Sequence, residues 1–196
     1  LLVGMADLAK LDGKGLARAL AALPAEYGRW IDDQRFRALD RKPLEETRDQ
    51  LATKTAAARG RIADGIRLLE SDPTVREAFV LANQAMHVAA LQADSQREDR
   101  RYVDGKRPEW RPFQLAFVLM SLQGLASPGH DDRRIADLIY FPTGGGKTEA
   151  YLGVVAFTLL LRRLRGKSRP DEGRGVTVLL RYTLRLLTLD QLGRAA

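Results

Sequence analysis

The stretch FPTGGGKTEA, residues 141–150, constrains this chain more than any other feature because of what stands on either side of it. Upstream lies the short apolar run ADLIYF. Downstream, TEAYLGVVAFTLLLRRLRG reads as a long, almost wholly buried helix ending at Gly166. Consecutive glycines let a main chain curl tightly enough to turn several N–H groups around an anion, with no side chain filling the space. Gly144, Gly145 and Gly146 supply that freedom. Lys147 then sits at the helix start within reach of β- and γ-phosphates, and Thr148 offers a hydroxyl to Mg²⁺. The helix N-terminus adds a dipole that favours negative charge. A glycine-rich turn carrying a solvent-exposed lysine is the bland alternative, and a strand–loop–helix setting weighs against it. The run departs from G-x-x-x-x-G-K-[ST] at one position, where Phe141 replaces the first glycine.

Charge is concentrated beside this loop. The chain of 196 residues has a formal charge of +7 and a pI of about 10.0. Between Leu161 and Arg185 there are eight basic residues against two acidic ones, Asp171 and Glu172. Such a stretch suits a polyanionic partner, with a solvated helix end and basic loop as the plainer reading. The absence of cysteine excludes disulfides and thiolate metal sites, and His87 and His130 are too far apart in sequence to suggest a zinc site. No run of 18 apolar residues occurs, so no membrane span is expected. LLVGMADLAK lacks the basic start and cleavage site of a signal peptide, and both ends read as cuts in a longer protein.

Periodicity divides the chain. Leu16, Leu20, Leu23, Tyr27, Trp30 and Ile31 recur at helical spacing over about 15–38, with Pro24 expected to kink or divide the helix. A second helix is predicted from Pro43 to Glu70, with Ile62, Ile66 and Leu69 on its apolar stripe. SDPTVREAF starts a third, capped by Ser71 or Asp72, with Val75, Phe79, Ala82, Met86 and Ala89 facing a core. Met86 and Phe79 read as packing residues rather than parts of a cofactor site. Residues 1–96 thus form a helical region and 97–110 a polar linker broken by Gly105 and Pro108. From 111 the pattern becomes a short helix, the apolar run ADLIYF, the glycine loop and its helix, the β-branched run VTVLLR, and a further helix. Two uniformly apolar strands alternating with helices predict an α/β fold with a parallel sheet covered on both faces.

PTGGGKT, with its non-glycine first position, resembles motif I of superfamily 2 helicases and translocases. Trp110 to Gln114, WRPFQ, resembles their glutamine motif; an amide both donates and accepts, so Gln114 would select adenine, with Arg111 and the neighbouring aromatic flanking the base. VTVLLRYTLRLLTLDQL resembles motif Ia, whose Thr and Arg side chains hold a nucleic-acid backbone; Thr183 and Arg185 are the candidates, Arg181 a poorer one. The spacing there departs from the family pattern, since Tyr182 replaces a proline and Gln191 lies further along. FPTGGGKTEAYLG together with GVTVLLRYTLRLLTLDQL is closer still to the helicase subunit of DISARM phage-defence systems.

The resemblance implies that 111–196 is the opening part of a RecA-like motor domain in a bacterial cytoplasmic helicase that uses ATP and Mg²⁺. It would work on DNA with a second DISARM subunit. The implied nucleotide set is Arg111, Gln114, Thr143, Gly144, Gly145, Gly146, Lys147, Thr148 and Glu149, with Lys147 and Thr148 catalytic and Thr148 on the metal. No D-E-x-H or D-E-A-D run follows the loop, so these 196 residues alone should turn over almost no ATP. The rivals are a nucleotide-gated nucleic-acid-binding module, a passive DNA-binding role for the basic stretch, and a restriction-type or RecQ-like motor.

Overall fold

The structure, a computed structural model, describes residues 1, 3–39, 43–97, 107–142, 144–167 and 170–181. Helix α1 (Met5–Leu8) leads into α2 (Gly13–Leu20) and α3 (Ala22–Phe36). The Asp12 carboxylate caps α2 by accepting from the Gly15 amide at 2.6 Å. The predicted 15–38 helix divides at Ala21, not at Pro24. Pro24 falls in the first turn of α3, where its missing N–H costs no helical bond.

Helix α4 (Pro43–Ser71) runs one residue beyond its predicted end, and α5 spans Pro73–Arg97. Asp72 separates them by capping: its carboxylate accepts from the Thr74 and Val75 amides at 2.9 and 3.0 Å. Such a cap is worth about 1 kcal/mol. Helix α6 (Pro112–Ala126) precedes a 3₁₀ turn (Asp131–Arg134), and α7 (Lys147–Gly166) precedes a second (Pro170–Gly173).

One apolar core joins these helices. It takes Leu16 and Leu20 from α2, and Ile62, Ile66 and Leu69 from α4. Val75, Phe79 and Met86 come from α5, Leu115, Val118, Leu119 and Leu122 from α6, and Phe157 and Leu161 from α7. Each such side chain contributes about 1.5–3 kcal/mol when fully buried. Helix α6 packs against both α4 and α7, and α5 runs along α7. At the α4–α6 crossing Gly65 faces the Leu119 carbonyl so closely that a Cβ would collide with that oxygen. Two expected core positions lie outside: Ala89 is exposed, and Trp30 is half exposed and stacked on Tyr27 at 5.8 Å.

The expected α/β fold is corrected. Among the described residues there is no strand and no sheet, so the RecA-like parallel sheet predicted for 111–196 is absent; backbone pairing amounts to an isolated antiparallel bridge, Gly4 with Glu109. ADLIYF and VTVLLR, predicted as buried strands, carry no regular structure. Leu138 is 88% exposed, Tyr140 93%, and Val176 and Leu179 74% each. An apolar, β-branched run becomes a strand only when another backbone completes its ladder, and composition does not supply that partner. The α7 expectation is corrected too: Ala150, Gly153, Phe157 and Leu161 form one buried stripe, while Leu159 is 44% exposed.

An ion cluster holds the start of the first of these runs, ADLIYF. The Arg61 guanidinium of α4 makes a bidentate pair with the Asp137 carboxylate at 2.7 and 2.8 Å and reaches Asp132 at 3.0 Å. The hydrogen bond to Asp137 raises the Arg61 pKa most; burial lowers it, and Asp132 raises it again. The segment that leads into the glycine loop is therefore tied to α4.

Candidate glycine-loop site

Helix α7 begins at Lys147, directly after three glycines, and the loop backbone needs them. Gly144 has φ +78° and Gly146 φ +85°, the left-handed region that side chains resist. Gly145 lacks that constraint but is enclosed: a Cβ there would run into the Phe141 ring. Its amide donates to the Pro142 carbonyl at 3.0 Å, closing a turn. Thr143 lies outside the described residues.

The loop is also held from inside by Lys147. Its Nζ donates to the Phe141 carbonyl at 2.5 Å and to the Pro142 carbonyl at 3.0 Å. An ammonium can exchange such carbonyl oxygens for phosphate oxygens without leaving the loop, because both are acceptors for the same three donors. The Thr148 hydroxyl accepts from the Tyr151 hydroxyl at 3.2 Å, and Glu149 is half-buried in the first turn.

Helix α6 grips the loop from its other side. Arg111 caps α6; its amide donates to Gln114 Oε1 at 2.7 Å, and its guanidinium reaches the Gly145 carbonyl at 3.0 Å. Gln114, buried, turns its Nε2 to the Gly146 carbonyl at 2.7 Å. One N–H and one lone pair of that amide remain beyond these bonds. The Phe113 and Phe141 rings stack with centroids 4.2 Å apart. Phe141 is thus an aromatic lid on Gly145 where the common loop pattern has glycine. Trp110, beside Arg111 in sequence, points into the core instead: it is buried, and its indole N–H donates to Asn83 Oδ1 at 2.8 Å.

Arg111, Gln114, Gly145, Gly146, Lys147 and Thr148 therefore converge on one loop. The nucleic-acid candidates do not join them. Arg181 is exposed on the coil after α7, and Thr183 and Arg185 lie outside the described residues. Part of the basic stretch serves the chain itself. Arg162 donates to the Val176 carbonyl at 2.9 Å and also to the Arg174 carbonyl, and Arg163 donates to the Gly173 carbonyl at 3.3 Å. Among the described residues no three His, Asp or Glu side chains gather as a metal site, and no helix is long and apolar enough to cross a membrane. Sequence reasoning missed Asn83 and Arg61. An asparagine among apolar residues of α5 was the available signal for the first.

Fold and site together define a helical protein that presents a glycine-rich, lysine-bearing loop at the head of a long helix. No known family profile matches the chain. It is similar to the DISARM protein DrmA of Bacillus paralicheniformis, with 40% identity over 181 residues, an alignment that covers 88% of this chain and 16% of that protein. The chain spans about one-sixth of the length of this curated relative.

Proposed function

We propose that this chain is the nucleotide-binding part of an ATP-driven DNA helicase or translocase of DISARM defence, working with a second DISARM subunit in the bacterial cytoplasm. The observation that carries the reading is the loop at the start of α7. Two of its glycines have positive φ, and the Lys147 ammonium is curled onto the carbonyls of Phe141 and Pro142. On ATP binding, Lys147 exchanges those carbonyls for β- and γ-phosphate oxygens, and the α7 N-terminus adds its dipole. Thr148 fits Mg²⁺ as one oxygen ligand. Since Mg²⁺ is held by few protein groups together with phosphate oxygens and water, one hydroxyl with no acidic cluster among the described residues is compatible with it. Bound Mg²⁺ would neutralise phosphate charge.

The remaining roles follow from reach. Arg111 and Gln114 hold the loop carbonyls, and the free edge of the Gln114 amide is what would read adenine. DNA contact falls to the basic stretch, with Arg181, Thr183 and Arg185 as candidates. The 40% identity to a DISARM protein supports the biological setting. The test is DNA-stimulated ATP hydrolysis by the intact protein. Wild type should turn over ATP, and Lys147→Ala should lose that activity; wild-type turnover by the variant would reject the proposal.

A further inference from the structure

Asn83 stands where α5 otherwise presents apolar residues to the core, and it is 1% exposed. A buried amide without partners is costly, and asparagine is a poor helix former. Both of its ends are used. Nδ2 donates to the Phe79 carbonyl one turn back at 2.9 Å, which fixes the amide plane, and Oδ1 accepts from the Trp110 indole at 2.8 Å. An apolar pair would fill the same space without fixing the ring, whereas a satisfied buried polar pair specifies one orientation.

The orientation matters because Trp110 links the two helices that flank the glycine loop, α6 through the chain and α7 through its ring. Its main-chain amide donates to the Val3 carbonyl at 2.9 Å, anchoring the residue. Along the chain, the next residue is Arg111, which caps α6 and, with Gln114, holds the carbonyls of Gly145 and Gly146. Across the core, the far edge of the indole lies against Gly153 of α7, where a Cβ would stand 2.7 Å from the ring. Gly153 is less than two turns past Lys147 on that helix.

We infer that Asn83 is a positioning residue for the nucleotide loop: by orienting Trp110 it sets how α6 and α7 meet around Gly144–Lys147. The inference rests on the nucleotide reading above. It also makes the N-terminal helices part of the site's support.

The test measures binding of a fluorescent ATP analogue with Mg²⁺ to the intact protein. Asn83→Leu and Gly153→Ala reach the indole from opposite sides, the second with the hydrogen bond left in place. Each should raise Kd about fivefold to tenfold. Val75→Ala, a core truncation on the same helix away from Trp110, should lower the melting temperature and leave Kd near wild type. If Asn83→Leu fails to fold, Gly153→Ala decides alone. Wild-type Kd in Asn83→Leu and Gly153→Ala, with binding lost in Lys147→Ala, overturns this inference and leaves the nucleotide reading standing. Undiminished binding by Lys147→Ala removes the nucleotide reading and this inference with it.

Discussion

The Gln114 side-chain nitrogen donates to the Gly146 carbonyl at 2.7 Å while its oxygen accepts from the Arg111 amide at the same distance. One buried amide therefore closes the first turn of α6 and holds the glycine loop. Removing it breaks both bonds at once. Gln114→Ala should destabilise the protein by about 1–2 kcal/mol, measured by denaturant unfolding. If the unused edge of the amide reads adenine, the variant should also lose preference for ATP over GTP. An unchanged ratio of the two Kd values would leave Gln114 as a loop tether alone.

Arg61 ties the 131–137 segment to α4 through Asp132 and Asp137, and its side chain is only 14% exposed. Arg61→Ala leaves two partly exposed carboxylates without that cation and should cost about 1–2 kcal/mol, more than a typical surface pair because the contact to Asp137 is bidentate. Because the folded pKa of Arg61 is raised, its contribution is fully present below the unfolded pKa and is lost only as pH climbs through the higher folded value. Wild-type and Arg61→Ala stabilities compared between pH 7 and 9 should thus differ by a constant amount as far as this arginine's own titration goes. A gap that closes over that range would contradict the assignment.

Gly65 permits the close crossing of α4 and α6, since a Cβ there would meet the Leu119 carbonyl. Gly65→Ala improves helix propensity by about 1 kcal/mol but drives a methyl into backbone, which overpacking data place at about 1–3 kcal/mol. Backbone cannot rotate aside as a side chain can, so net destabilisation is expected. A raised melting temperature would show that the helices are not so close.

Features set by local backbone chemistry were legible in the sequence. The Asp72–Pro73 helix start, the stripe of Ile62, Ile66 and Leu69, and the start of α7 at the end of the glycine run depend on neighbours within a turn or two. Features that need distant partners were not. ADLIYF and VTVLLR have strand composition, but a strand exists only in a ladder, and none joins them among the described residues. Arg61 lies 76 residues from Asp137 and Asn83 lies 27 from Trp110, separations at which no periodicity points from one to the other. Trp30 kept helical phase with the core residues yet faces outward beside Tyr27, because a stripe marks a face and not what covers it.

For ATP to bind, the loop that opens α7 must accept a polyphosphate in place of its own carbonyls. Calorimetric titration of the intact protein with MgATP, wild type against Lys147→Ala, tests this most directly. Loss of a charge-assisted contact worth about 2 kcal/mol predicts a Kd at least about thirtyfold weaker in the variant. Equal affinities for the two proteins would contradict it.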